Sequence, residues 1–222
     1  LDQPTIERPD PKGPSDWESL EGFELDDSQK KVLAEAIGLE EGELSLVVGP
    51  PGSGKTEVIA KIADELAAAG DRVLVTSHTN IAVDNVIEKF TSHEDHQVVR
   101  VGRPEKLSKG STRLMLSKVM EDSDNKTVNR VLAKVEQVKS SISNLDNGAE
   151  ADAKQEKLTK LRRKIKSLQE GAEAISISNA DITGATIIRS QLGGLAQVDF
   201  DTVIIDEASQ ISVPFGLLGM VN

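Results

Sequence analysis

Short runs rich in Val, Ile, Leu and Thr recur along the chain at Leu44–Val48, Arg72–Ser77, Gln97–Val101, Asp181–Ile187 and Phe200–Glu207. Strands buried on both faces read this way, as near-continuous apolar runs without polar alternation. Between them the rhythm lengthens to that of a helix. Leu25-Asp26-Asp27-Ser28-Gln29 supplies an aspartate or serine cap ahead of an apolar stripe at Val32, Leu33, Ala36 and Ile37. Lys55–Ala69 carries Val58, Ile59, Ile62, Ala63 and Leu66 on one face, and Ile81–Phe90 is expected to turn Ile81, Val83, Val86, Ile87 and Phe90 inward. Strand alternating with helix predicts a parallel sheet with helices on both sides, an α/β fold. The alternation breaks from about Arg103 to Ala174, where two heptad series replace it. Val128, Val131, Val135, Val138, Ile142 and Leu145 are spaced 3-4-3-4-3, and Leu158, Leu161, Ile165, Leu168, Ala172 and Ile175 repeat that spacing. A polar turn with glycine, 146–150, separates them, so the stretch predicts an antiparallel helical hairpin inserted into the sheet domain.

Composition adds limits. Aromatics make up 2% of the 222 residues, so the core must be aliphatic and base stacking on aromatic platforms is a poor candidate for gripping nucleic acid. No apolar run approaches the ~18 residues of a membrane span, and the N-terminus lacks the apolar centre of a signal peptide. The absence of cysteine excludes disulfides and thiolate metal sites and fits an intracellular protein. The net charge of −11 is unevenly spread. Residues 1–48 hold 4 basic and 13 acidic side chains, a balance of −9, whereas 103–170 hold 16 basic and 10 acidic, a balance of +6. Lys154, Lys157, Lys160, Arg162, Arg163, Lys164 and Lys166 crowd the second heptad helix. Such a face is either a solvated coiled-coil exterior or a phosphate-backbone contact. Residues 1–24, with four of the eight prolines, read as an acidic extended linker.

Gly49-Pro50-Pro51-Gly52-Ser53-Gly54-Lys55-Thr56 fits the phosphate-loop pattern G-x-x-x-x-G-K-[ST] and lies between an expected strand and an expected helix. In that context backbone N–H groups and the helix N-terminus form an anion nest. Lys55 would reach the β- and γ-phosphates of ATP or GTP, and the Thr56 hydroxyl would hold Mg²⁺. The alternative is a glycine-rich turn that binds nothing. The run Val203-Ile204-Ile205 ends in Asp206-Glu207, the carboxylates such a loop needs opposite it: Asp206 to orient Mg²⁺ through water, Glu207 to polarise the attacking water. His93-Glu94-Asp95-His96 clusters potential metal ligands, but no further ligands support it and a solvated loop is the expected reading. Gln29, taken as structure alone, is an ordinary first-turn helix residue.

In order along the chain, these motifs resemble those of superfamily 1B helicases. The branch is that of the nonsense-mediated-decay helicase, senataxin and the immunoglobulin mu-binding-protein helicase. Leu25–Gln29 is similar to the branch's adenine motif, which would put Gln29 on adenine and make the nucleotide ATP. Gly49–Thr56 matches motif I. Ser77–Asp84 resembles motif Ia, with Thr79 and Asn80 at the nucleic-acid backbone, and Val99–Gly102 resembles the strand that follows. Ala180–Thr186 resembles the next backbone-contacting motif, with Thr186 at its threonine. Ile205–Gln210 matches motif II, where Gln210 would couple nucleotide to nucleic acid. The family also carries a helical insertion where the heptad hairpin falls.

The resemblance implies a RecA-like P-loop NTPase fold divided as linker 1–24, first part of the RecA-like domain 25–102, hairpin insertion 103–174 and second part 175–222. It implies ATP and Mg²⁺ as cofactors and single-stranded DNA or RNA as partner, with 5′→3′ movement. Leu1 in place of Met and the apolar end at Phe215–Val221 lead to the expectation of a piece of a longer chain, cut after motif II. The β-barrel that precedes the adenine motif in the family, motif III and the second RecA-like domain with its arginine finger would then lie elsewhere, and the piece alone would hydrolyse ATP slowly or not at all. On the hairpin, Lys160, Arg162, Arg163 and Lys164 are the candidate nucleic-acid contacts. Two other readings stay open: a nucleic-acid-stimulated translocase or remodeller without unwinding, with the hairpin as a partner-docking arm, and a coiled-coil interaction module on an inactive nucleotide domain.

Overall fold

The computed structural model describes residues 25–91, 95–102, 114–121, 126–145 and 151–220. Helix α1 (Asp27–Ile37) starts on a capping box: the Asp26 carboxylate accepts from the Gln29 N–H at 2.9 Å, and the Gln29 Oε1 accepts from the Asp26 N–H at 2.9 Å. Then come α2 (Lys55–Ala68), β1 (Val73–Ser77), α3 (Asn80–Ile87), β2 (Val98–Arg100), α4 (Leu116–Glu121), α5 (Lys126–Leu145) and α6 (Ala151–Ser178). The chain re-enters the sheet with β3 (Ile182–Thr186), turns through α7 (Ile187–Ser190), and finishes with β4 (Thr202–Asp206) and α8 (Val213–Gly219). All pairings are parallel, in the order β2-β3-β1-β4, which is a RecA-like P-loop α/β arrangement. Among the described residues no helix is long and apolar enough to cross a membrane.

Successive residues of each strand feed two different cores, as a period of two requires. Val73, Val75, Val98, Ile182 and Ile204 pack with α1, α2 and α3. Leu74, Val99, Ala185 and Val203 face the other way, onto Leu116 and Met120 of α4, Ala172 and Ile177 of α6, and Leu195, Val198 and Phe200. The two long helices pack along the heptad seam, with Val135, Val138 and Ala172 buried in it. The C-terminal third of α6 therefore roofs the sheet, and its N-terminal part extends the hairpin outward. Arg189 on α7 fixes that base, donating to Glu173 at 3.0 Å.

Three sequence expectations change, the first at Ile81 in the first turn of α3, expected to face inward but 74% exposed. Leu44–Val48 is not a strand. Leu44, Leu46 and Val48 are 66%, 79% and 96% exposed, and β4 is the edge of the sheet. A strand exists through its neighbours, and among the described residues this segment has none. The His93–His96 cluster is not a solvated loop at its C-terminal end. His93 and Glu94 lie outside the described residues, but the His96 side chain, 11% exposed, lies against α2, its Nε2 3.2 Å from Asp64. Lys61 pairs with the same Asp64 at 3.1 Å and with Glu65 at 2.9 Å. No group of three His, Asp or Glu among the described residues could hold a metal. The expected linker, 1–24, lies outside the described residues except for its boundary with Leu25, which is buried in the core.

Gly184 sits where α3 crosses β3, and a Cβ there would lie 2.4 Å from Ile87 Cγ1 and 3.1 Å from Val83. Both neighbours are fully buried, so they have little room to yield. Gly184→Ala is expected to destabilise the domain by about 1–3 kcal/mol, read from a denaturant melt. A variant within about 0.5 kcal/mol of wild type, the usual reach of a neutral surface change, would show that the helix simply shifts.

Candidate functional site

The phosphate loop runs from Gly49 into the N-terminus of α2. Gly52 and Gly54 adopt left-handed backbone, φ 80° and 74°, a conformation that lets a loop curl into an anion nest. At Gly54 the need is also steric, since a Cβ would come 2.6 Å from the Gln29 Nε2. Lys55, the first residue of α2, folds back into the loop and donates from Nζ to the carbonyls of Gly49 at 2.8 Å and Pro50 at 2.9 Å. Thr56 follows on the first turn, half-buried beside the loop.

Gln29 is brought to this loop by α1, but its amide is engaged at both ends. Its Oε1 serves the capping box, and its Nε2 donates to the Ser53 carbonyl at 3.0 Å. It buttresses the loop from outside.

Asp206 ends β4, and β4 pairs with β1, so the carboxylate stands opposite Ser77 at the C-terminal edge of the sheet. Burial raises the Asp206 carboxyl above the usual carboxylate range; the Glu207 N–H, 2.8 Å away, opposes this, Glu207 repulsion adds to it, and Lys55 attraction opposes it. Lys55 and Asp206 thus share one electrostatic site. Glu207 has φ 58°, the only positive φ of a non-glycine residue in the described structure. Strained backbone of this kind costs about 1–3 kcal/mol and persists only where the surroundings impose it. Here the Asp206 carboxylate holds the Glu207 N–H, and the Gln210 amide donates to the Glu207 carboxylate. Gln210, expected as a coupling residue, therefore orients Glu207 in this structure.

The loop after β1 shares the same edge. Thr79 caps α3, accepting from the Ala82 N–H at 3.2 Å, and Asn80 begins the helix, half-exposed. His78 beside them meets Phe215 of α8 edge-on, with ring centres 5.8 Å apart. Thr186 ends β3 directly across from Ser77. One row of strand ends therefore carries Thr186, the Ser77–Asn80 loop and Asp206 side by side, with the phosphate loop above. Lys160, Arg162, Arg163 and Lys164 are not in this assembly. They lie exposed on the middle of α6, a helix whose neighbours are α4, α5 and the turn at Leu195–Gln197, and Lys160 pairs with Glu156 at 2.6 Å. The sequence reading missed Asp84 and Arg100, whose signal was an arginine placed inside an apolar strand and an aspartate on the inner face of a helix.

A family model described as an AAA domain matches residues 24–220 of the chain. The chain is similar to the DNA polymerase alpha-associated DNA helicase A of Schizosaccharomyces pombe, 32% identical over 201 residues that cover 89% of this chain and 30% of that protein. It is similar to the DNA-binding protein SMUBP-2 of Rattus norvegicus, 31% identical over 84% of this chain and 19% of that protein. The DNA replication ATP-dependent helicase/nuclease DNA2 of Saccharomyces cerevisiae is 29% identical over 86% of this chain and 9% of its own length. The chain spans less than a third of each of these relatives.

Proposed function

This chain belongs to the AAA-domain family, among the superfamily 1 helicases, and from that membership we propose that it is the ATP-binding part of an ATP-dependent helicase. It would couple hydrolysis to 5′→3′ movement on single-stranded DNA or RNA inside the cell. The observation that carries the proposal is the shared strand edge: Ser77 stands between Thr186 on one side and Asp206 on the other. A change at the γ-phosphate would thus reach the Thr79–Asn80 loop through one strand spacing, ~4.8 Å, and Thr186 through two.

The residues fit magnesium-bound ATP. Curled glycine backbone and a helix N-terminus suit phosphate oxygens. The Thr56 hydroxyl and the Asp206 carboxylate are hard oxygen donors of the kind Mg²⁺ takes. Asp206 is also a partly buried carboxylate that its surroundings under-compensate, and a cation would offset that cost. Bound Mg²⁺–ATP supplies the electrophilic γ-phosphoryl group and neutralises its charge. The chain's part is then to grip and to place: Lys55 leaves the Gly49 and Pro50 carbonyls for phosphate oxygen, Gln29 meets adenine, and Glu207, aimed by Gln210, takes the proton of the attacking water. The site would face a second RecA-like domain, which would bring an arginine finger. The division into 1–24, 25–102, 103–174 and 175–222 belongs to the same proposal.

An ATPase assay beside strand displacement on the whole protein tests this. Hydrolysis stimulated by single strands together with duplex unwinding is the expected result; stimulation without unwinding makes it a translocase, and no nucleotide binding at all leaves an interaction module. The hairpin has its own test. Replacing Lys160, Arg162, Arg163 and Lys164 by Gln is expected to weaken single-strand binding and flatten its salt dependence by about 0.7 for each phosphate no longer neutralised. Unchanged affinity and slope would make the hairpin a protein-docking arm.

A further inference from the structure

Arg100 has no exposed surface and is the largest fully buried side chain of the described structure. It occupies a position on β2 where the apolar run calls for valine or isoleucine. Buried ion pairs of this sort are often no more stabilising than a packed hydrophobic residue, so stability alone is a weak reason for it. Its hydrogen bonds point to position. Nε donates to Asp84 Oδ1 on α3 at 2.6 Å, Nη1 to the Val101 carbonyl at 2.6 Å, and Nη2 to Asn80 Oδ1 at 3.0 Å. Burial lowers the guanidinium's proton affinity and Asp84 offsets part of that, which still leaves arginine charged at any physiological pH.

The contact with Asn80 has a chemical consequence. A guanidinium carries donors only, so the carboxamide atom that meets it must be the oxygen. The Asn80 amide is thereby fixed in one orientation, with its NH₂ group on the side away from Arg100. Asn80 is half-exposed in the first turn of α3, next to exposed Thr79 and His78. The Thr79 oxygen is already engaged by the Ala82 N–H, so its proton too is left to donate. The loop presents donors outward and no unengaged side-chain amide oxygen.

We propose that Arg100 is a positioning residue for nucleic-acid binding: by occupying the Asn80 oxygen it holds the Asn80 NH₂ as a donor toward a backbone phosphate oxygen of a single strand. The inference rests on the nucleic-acid reading given above and names a device within it. Because the donor is uncharged, it adds affinity without displacing a counterion.

The test measures binding of a fluorescent single-stranded oligonucleotide to the whole protein across a salt series, with a fluorescent ATP analogue as control. Arg100→Lys keeps the charge but cannot fork between Asp84 and Asn80. It should weaken oligonucleotide binding about tenfold, with the salt slope and nucleotide affinity unchanged. In an Asn80→Ala background, which has already lost the donor, Arg100→Lys should cost nothing more. Equal losses in both backgrounds would overturn the proposal and leave Arg100 a packing element. Asn80→Asp retains an oxygen for Arg100, and so the fold, while removing the donor; it is expected to bind at least about tenfold more weakly. Wild-type binding by that variant overturns the proposal even if Arg100→Lys does not fold. A wild-type protein that binds no single strand would remove the nucleic-acid reading itself.

Discussion

Lys55→Ala is expected to lower ATP hydrolysis by the whole protein, in the presence of single strands, by about 10²–10³, the usual loss when one donor to transition-state charge is removed. The ammonium is already inside the loop, on the carbonyls of Gly49 and Pro50, so it has only to exchange these acceptors for phosphate oxygens. The same ammonium is the cation whose attraction bears on Asp206. The structural cost should be small. Lys55 is the first residue of α2, where alanine is at least as good a helix former, and its Nζ bonds only to the loop. A variant that melts like wild type but does not turn over would tie the loss to chemistry. Hydrolysis at the wild-type rate would mean that the loop does not hold the reacting phosphates, and the proposed function would fall with it.

Much of this site was legible in the letters, because its parts are local. Gly52 and Gly54 announce left-handed backbone, Lys55 and Thr56 come at fixed offsets from them, and Asp26 with Gln29 is a capping box in any helix. The four observed strands fall within apolar runs of the sequence, and the heptads give two packed helices, because periodicity of two or of seven decides which face is buried. What escaped is what depends on neighbours. Leu44–Val48 has the composition of a strand, yet hydrogen-bonded pairing comes from an adjacent chain segment and not from composition. Gln29 shows the same limit. Its adenine role came only from the family resemblance, and the letters did not show that its amide also holds the Ser53 carbonyl and the helix cap. Arg100 and Asp84 lie 16 residues apart with only an apolar context to mark them, so their pairing becomes visible when α3 lies across β2 and β3.

Asp206→Asn is expected to separate activity from stability in opposite directions. Asparagine cannot offer Mg²⁺ a charged oxygen, so hydrolysis should fall by at least about a hundredfold. Glu207→Gln should fall as far, while retaining nucleotide, because in the proposed mechanism the carboxylate that Gln210 orients would accept the proton rather than grip the nucleotide. The nucleotide-free Asp206→Asn protein, by contrast, should melt higher than wild type. Burial raises the Asp206 carboxyl in the folded state. A carboxyl so raised favours the fold when protonated, below its unfolded value, and that contribution is lost as pH rises through the folded value. At neutral pH the ionised side chain therefore opposes folding, by about 1 kcal/mol or less, since the group is partly solvated and screened. Removing the charge should raise Tm by at most about 2–4 °C, and the gap should close as pH falls into the carboxylate range and wild-type Asp206 takes up its proton. Saturating Mg²⁺–ATP should reverse the order, because only the aspartate gains a cation. An asparagine variant that melts lower at neutral pH without nucleotide would show that Asp206 is already compensated in the empty site, and that the strand edge is not held ready for a metal.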